Sequence, residues 1–85
     1  MSDLQNGSKV KEFVEYIVRS LCDDETVEIN EVKGDRTISI NIKCNNKENI
    51  GKIIGKKGRV ANAIRLLATH VAYNEGVRVV IAIID

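Results

Sequence analysis

Three of the six glycines in this 85-residue chain fall within eight consecutive positions, at Gly51, Gly55 and Gly58. Glycine adopts backbone angles closed to other residues and carries no Cβ to block close approach. The segment around them must therefore turn sharply, and the chain on either side must be built from separate short elements. Ile53-Ile54 lead in, Gly55-Lys56-Lys57-Gly58 makes the turn, and Arg59 opens a new stretch. There Val60, Ile64, Leu67 and Val71 mark one helical stripe, with Ala61, Ala68 and Ala72 beside it. Tyr73-Asn74-Glu75-Gly76 ends this helix, with Gly76 close to a C-cap position.

Upstream, the hydrophobic period changes from helical to alternating. Ser8 is an expected N-cap. After it, Val10, Phe13, Val14, Ile17, Val18 and Leu21 fall at helical spacing, with Lys9, Lys11, Glu12, Glu15 and Arg19 on the other side. Asp23-Asp24-Glu25 follows as an acidic loop. Val27 and Ile29 alternate with polar neighbours and Val32 breaks the phase, which predicts a short strand ending in a bulge or turn. Lys33-Gly34-Asp35-Arg36 has turn chemistry. Ile38, Ile40, Ile42 and Cys44 then alternate strictly with Ser39, Asn41 and Lys43, completing a hairpin. Asn45 to Asn49 reads as a polar loop and Ile50 to Ile54 as a short helix. Val77 to Ile84 is nearly continuous β-branched sequence, which predicts a strand covered on both faces.

The hairpin must be antiparallel. The last strand returns after a helical crossover and should lie parallel to the strand ending at Cys44. The predicted fold class is α+β, a three-stranded mixed sheet packed on helices in the order α-β-β-α-α-β. One domain over residues 8–85 is expected, behind a flexible tail over residues 1–7. With no Pro or Trp, one Phe and two Tyr, its core must be aliphatic. Cys22 and Cys44 match no metal spacing and read as free thiols packed as small hydrophobes. No apolar run approaches the roughly 20 residues a membrane helix needs, and no signal peptide is visible. A cytoplasmic protein without cofactor or membrane contact is expected.

Net charge is only +1, but its distribution is uneven. Residues 1–50 carry 7 Lys/Arg and 10 Asp/Glu, whereas residues 51–85 carry 6 and 2. No acidic residue falls between Gly51 and Asn74, where Lys52, Lys56, Lys57, Arg59 and Arg65 are found. A polyanion senses such a local field rather than the total. The turn adds chemistry of its own. Its glycines let backbone approach a sugar-phosphate chain, and the helix opening near Arg59 points its positive end at the loop. A P-loop is excluded, because Gly51 and Gly55 enclose three residues rather than four and no Ser or Thr follows the lysines. A plain helix–helix turn carrying surface lysines is the alternative that these residues alone leave open.

Ile53-Ile54-Gly55-Lys56-Lys57-Gly58-Arg59 and the following Ala63-Ile64-Arg65 resemble the core of KH domains. The resemblance runs from about Ser8 to Asp85, and the order of elements is similar to the type II KH arrangement. A stand-alone domain of this length resembles the bacterial KhpA family of small RNA-binding proteins. The resemblance implies that the loop clamps the backbone of about four nucleotides of single-stranded RNA. It places the bases in an apolar groove lined by Ile53, Ile54, Val60 and Ala61 and by Val79, Val80 and Ile81. Lys52, Arg59 and Arg78 would support phosphates or touch base edges. It also implies association with a larger KH-containing protein of the Jag type and a role in post-transcriptional control.

Two further readings compete. The apolar last strand and the alanine-rich helix side suit a protein-docking module, with a homodimer or heterodimer burying surface near Ala61, Ala68 or Ile84. An enzyme would need converging acid, base or nucleophile groups. His70, the only histidine, has no nearby carboxylate in sequence, and neither cysteine falls in a catalytic motif, so no catalytic residue is expected.

Overall fold

The structure is a computed structural model that describes residues 8–22 and 27–84. The expected tail over residues 1–7, the acidic loop at Asp23-Asp24-Glu25, and Asp85 lie outside the described residues. The elements are α1 (Lys9–Leu21), β1 (Glu28–Lys33), β2 (Thr37–Lys43), α2 (Lys47–Ile54), a 3-10 turn (Lys56–Gly58), α3 (Arg59–Asn74) and β3 (Arg78–Ile84). The sheet runs β1-β2-β3. β1 pairs antiparallel with β2, and β3 pairs parallel with β2 on the other side, as the connections dictate.

Local signals act where the sequence puts them. The Ser8 hydroxyl accepts from the Lys11 N–H at 3.0 Å and also bonds the Glu31 carboxylate, tying the start of α1 to β1. Gly76 takes φ +75°, and the N–H of Val77 reaches back to the Ala72 carbonyl at 3.0 Å, closing α3. Two expectations need correction. α2 starts at Lys47 rather than Ile50, because Asn46 caps it by accepting from the Glu48 N–H at 2.7 Å. Its polar first turn hides the helix, and Asn49 within that turn is buried, its carbonyl accepting from Cys22 Sγ at 3.5 Å. β1 ends in a turn, not a bulge, and its phase is unbroken: pairing runs one to one from Glu28↔Lys43 to Lys33↔Ile38, and the Gly34 N–H then bonds the Thr37 carbonyl at 2.7 Å. Val32 simply falls on the outer face of the sheet, where it is 61% exposed.

All three helices cover one face. Ile29, Ile38, Ile40, Ile42 and Ile81 meet Val10, Val14 and Val18 of α1, Ile53 of α2, and Ile64, Ala68 and Ala72 of α3 in one cluster. Each large aliphatic buried this way contributes about 1.5–3 kcal/mol. Within α3 three of the four alanines face the core, not its flank. Ala61, Ala68 and Ala72 are buried and let the helix approach closely, while Leu67 is left half exposed. Ala61 and Ala68 are therefore unavailable to a partner, contrary to the docking reading above. The second face of β3 is open in this chain, with Val80 and Ile84 exposed. Among the described residues no helix is long and apolar enough to cross a membrane.

Candidate nucleic-acid interface

The corner between α2 and α3 is built on left-handed backbone. Gly55 has φ 76° and ψ 176°, Lys57 φ 55° and ψ 28°, and Gly58 φ 74° and ψ 13°. A Cβ on Gly55 would lie 2.4 Å from Val60 Cγ2 and 2.9 Å from the Val60 nitrogen. The glycine is required there twice over, by angle and by space. At Gly58 the nearest atom would be Asn62 Nδ2 at 3.8 Å, so only the angle demands it. Gly51 has nothing within 4 Å and lies inside α2, so it is no part of the loop. Lys57 holds αL without a glycine's freedom, at a cost of about 1–3 kcal/mol. The turn thrusts two lysines outward at the cost of that strain.

The loop's electrostatics follow from the same corner. Lys52, Lys56, Lys57 and Arg59 are exposed. Among the described residues none of the four has an ion-pair partner. Gly58 caps α3 without a side-chain bond, and no acid occupies the first turn. The Arg59 N–H is taken by the Lys56 carbonyl, and the helix turns the positive end of its dipole toward four cations that lack ion-pair partners among the described residues. Ile54, 37% exposed, and half-buried Val60 flank this surface. Ile53 does not, because it is fully buried and supports the corner from beneath. Ala61 is likewise buried rather than open to a ligand.

Two clefts lie between α3 and the free edge of β3. The Arg78 N–H bonds the Arg36 carbonyl, and the Ile84 carbonyl accepts from Cys44 N–H. Even-numbered residues of β3 thus turn their backbone groups toward β2. Val79, Ile81 and Ile83 must then turn theirs outward. Arg65 crosses from α3 to this edge, its Nε donating to the Ile81 carbonyl at a long 3.4 Å. One cleft of about 260 Å³ is lined by Arg65, Thr69, Val79, Val80 and Ile81. A second, of about 450 Å³, shares Thr69, Val79 and Val80 and extends to Tyr73, Val77 and Arg78. Arg78 therefore lies at the end farthest from the lysine loop, apart from Lys52 and Arg59. The sequence reading missed Thr69 and Tyr73 as groove residues and counted Arg65 only as charge. Their signal was the spacing Arg65, Thr69, Tyr73 at i, i+4, i+8, one flank of α3.

A helix–strained glycine corner–helix unit laid on a mixed three-stranded sheet, with a groove along the last strand, defines a KH-type domain. The family described as KhpA/KhpB, KH domain, matches residues 11–83. The RNA-binding protein KhpA of Clostridium perfringens is 45% identical over 76 residues, covering 88% of this chain and 100% of that protein. The RNA-binding protein KhpA of Chlamydia pneumoniae is 46% identical over 77 residues, 89% of this chain and 97% of the relative. That of Aquifex aeolicus is 35% identical over 79 residues, 92% and 99% of the two chains. The chain belongs to the KhpA/KhpB family of KH domains.

Proposed function

We propose that this chain binds single-stranded RNA, with the sugar-phosphate backbone across Gly55-Lys56-Lys57-Gly58 and the bases along the groove beside β3. The observation that carries the reading is the strained corner itself. Two exposed lysines without ion-pair partners among the described residues stand at the N-terminus of α3, one of them, Lys57, on left-handed backbone between two positive-φ glycines. The relatives' description as RNA-binding proteins supports the same ligand. Lys52, Arg59, Ile54 and Val60 extend the contact around the corner, and Val79, Val80 and Arg78 extend it along the groove. Because the loop reads backbone, sequence preference is low and affinity depends steeply on salt. A role in post-transcriptional control and association with a larger Jag-type KH protein belong to the same reading, and rest on the family resemblance rather than on geometry.

The test is Lys56→Asp/Lys57→Asp. Both glycines remain, Asp enters αL more readily than Lys, and an acid near a helix N-terminus is favourable by about 0.3–1 kcal/mol. Circular dichroism should show a folded protein. Gel shifts with single-stranded RNA should show binding lost, and any residual salt dependence flattened by about 1.4 log units for two lost contacts. A folded variant that binds as tightly as the parent refutes the loop assignment.

A second reading, association with another protein copy, is favoured by the outer ridge of α3. Leu66 is 60% exposed and adjoins Ala63, Leu67 and His70, all exposed. This ridge borders the Arg65–Thr69–Tyr73 flank, with Leu66 one turn from Thr69 and His70 one turn from Tyr73.

A further inference from the structure

The far end of the groove holds a feature that a four-nucleotide grip does not use. Tyr73 is 79% exposed, although its ring is the largest apolar surface on that flank of α3. It stands in the wider cleft of about 450 Å³ with Val77 and Val80 as apolar neighbours, Thr37 and Thr69 as hydroxyls, and the Arg78 guanidinium at the rim. Glu75, the only acid between Gly51 and Ile84, lies 4.0 Å from Lys9 of α1, with both side chains exposed. An open aromatic ring, apolar walls, hydroxyls and one unpaired guanidinium suit a nucleobase attached to its phosphate. The two clefts share Thr69, Val79 and Val80. The row Arg65, Thr69, Tyr73 carries the groove about 12 Å along α3 at about 1.5 Å per residue, away from the lysine corner.

We infer that Tyr73, with Thr69 and Arg78, forms an additional nucleobase-stacking subsite that lengthens the bound RNA tract beyond the nucleotides held at the glycine loop. The inference rests on the RNA-binding reading above. Every base has a π face, so this subsite adds affinity for longer single strands without adding sequence preference. It also assigns Arg78 to the phosphate of the outlying nucleotide rather than to the loop.

Binding of oligouridylates of four and eight nucleotides tests the subsite. Tyr73→Ala should weaken eight-nucleotide binding by about tenfold, the scale of one lost base stack. It should leave four-nucleotide binding within about twofold of the parent, and Tyr73→Phe should restore the longer oligomer's advantage. Tyr16 is the only other tyrosine and there is no tryptophan. In a Tyr16→Phe background the remaining tyrosine emission should therefore be quenched by the octamer and not by the tetramer. Equal losses for both lengths, no loss for either, or absent quenching overturns the subsite. So does a change in sedimentation caused by Tyr73→Ala alone, which makes the ring a protein contact. Failure of the parent to bind either oligomer, or binding that ignores Lys56→Asp/Lys57→Asp, refutes the loop reading instead.

Discussion

Gly55→Ala and Gly58→Ala are the same chemical change at nearly the same φ, yet they should differ severalfold in cost. At Gly58 the added methyl meets nothing closer than 3.8 Å. Its penalty is that of αL for an L-residue, about 1–2 kcal/mol, partly offset by about 0.4–1 kcal/mol from a stiffer unfolded chain. The net is about 1 kcal/mol. At Gly55 the backbone has φ 76° and ψ 176°, a region used almost only by glycine, at about 1–3 kcal/mol. The methyl also overlaps Val60, whose Cγ2, Cβ and N lie at 2.4, 2.7 and 2.9 Å. Overpacking of that kind adds about 1–3 kcal/mol. With the same unfolded-state offset, Gly55→Ala should cost about 2–5 kcal/mol. For a domain this small each kcal/mol moves Tm by roughly 4–8 °C, so a difference of about 1–4 kcal/mol should separate the two variants by at least about 4 °C. Val60→Ala should rescue Gly55→Ala only partly, since it removes Cγ2 but leaves Cβ and the backbone nitrogen. Urea and thermal unfolding of the four proteins decide it. Equal midpoints for the two single variants would refute the claim that Val60 closes the space above Gly55.

Ile53→Ala and Ile54→Ala should part in the same way: the first empties a fully buried site and should cost about 2–5 kcal/mol, while the second trims a 37% exposed side chain and should cost less. RNA binding should follow the reverse order once both are compared below their melting points, because only Ile54 reaches the corner's surface. Leu66→Gln/Leu67→Gln adds no charge and should change stability by about 0.5 kcal/mol or less per site. It should abolish concentration-dependent sedimentation while leaving RNA affinity within about threefold; unchanged self-association removes the α3 ridge as the pairing surface.

The fold was legible where one residue type settles one question. Ile38, Ile40 and Ile42 alternate with polar residues, and all three are buried. Ser8 and Gly76 sit where helix ends need an acceptor and a positive φ, and both act there. The parallel pairing of β3 followed from chain connectivity alone. The reading failed where polar letters or small residues carried the structure. Lys47-Glu48-Asn49 looked like loop because a short helix turns most of its first turn to solvent, and the one side chain it buries is an asparagine. The stripe through Val60, Ile64, Leu67 and Val71 was drawn through the larger side chains. The tighter contact belongs to Ala61, Ala68 and Ala72, because close approach rewards small residues over large ones.

The site shows the same division between local and assembled information. A strained turn is encoded within a few residues, so Gly55 and Gly58 could be found from spacing alone, and both take positive φ; the left-handed angle of Lys57 between them carries no signal in residue type. A groove belongs to two elements at once. Arg65 meets Ile81 across sixteen residues of chain, and that contact depends on β3 returning along α3 after the Gly76 turn. No single window of sequence contains it. The same geometry explains why Ile53 and Ala61 support the surface rather than line it. Apolar side chains flanking a binding surface are more often its support than its face, because the same burial that rigidifies a corner withdraws them from contact. Exposed Tyr73 and Arg65 carry the complementary lesson: on the flank of a helix already anchored by alanines, large or charged side chains are left free to meet a ligand.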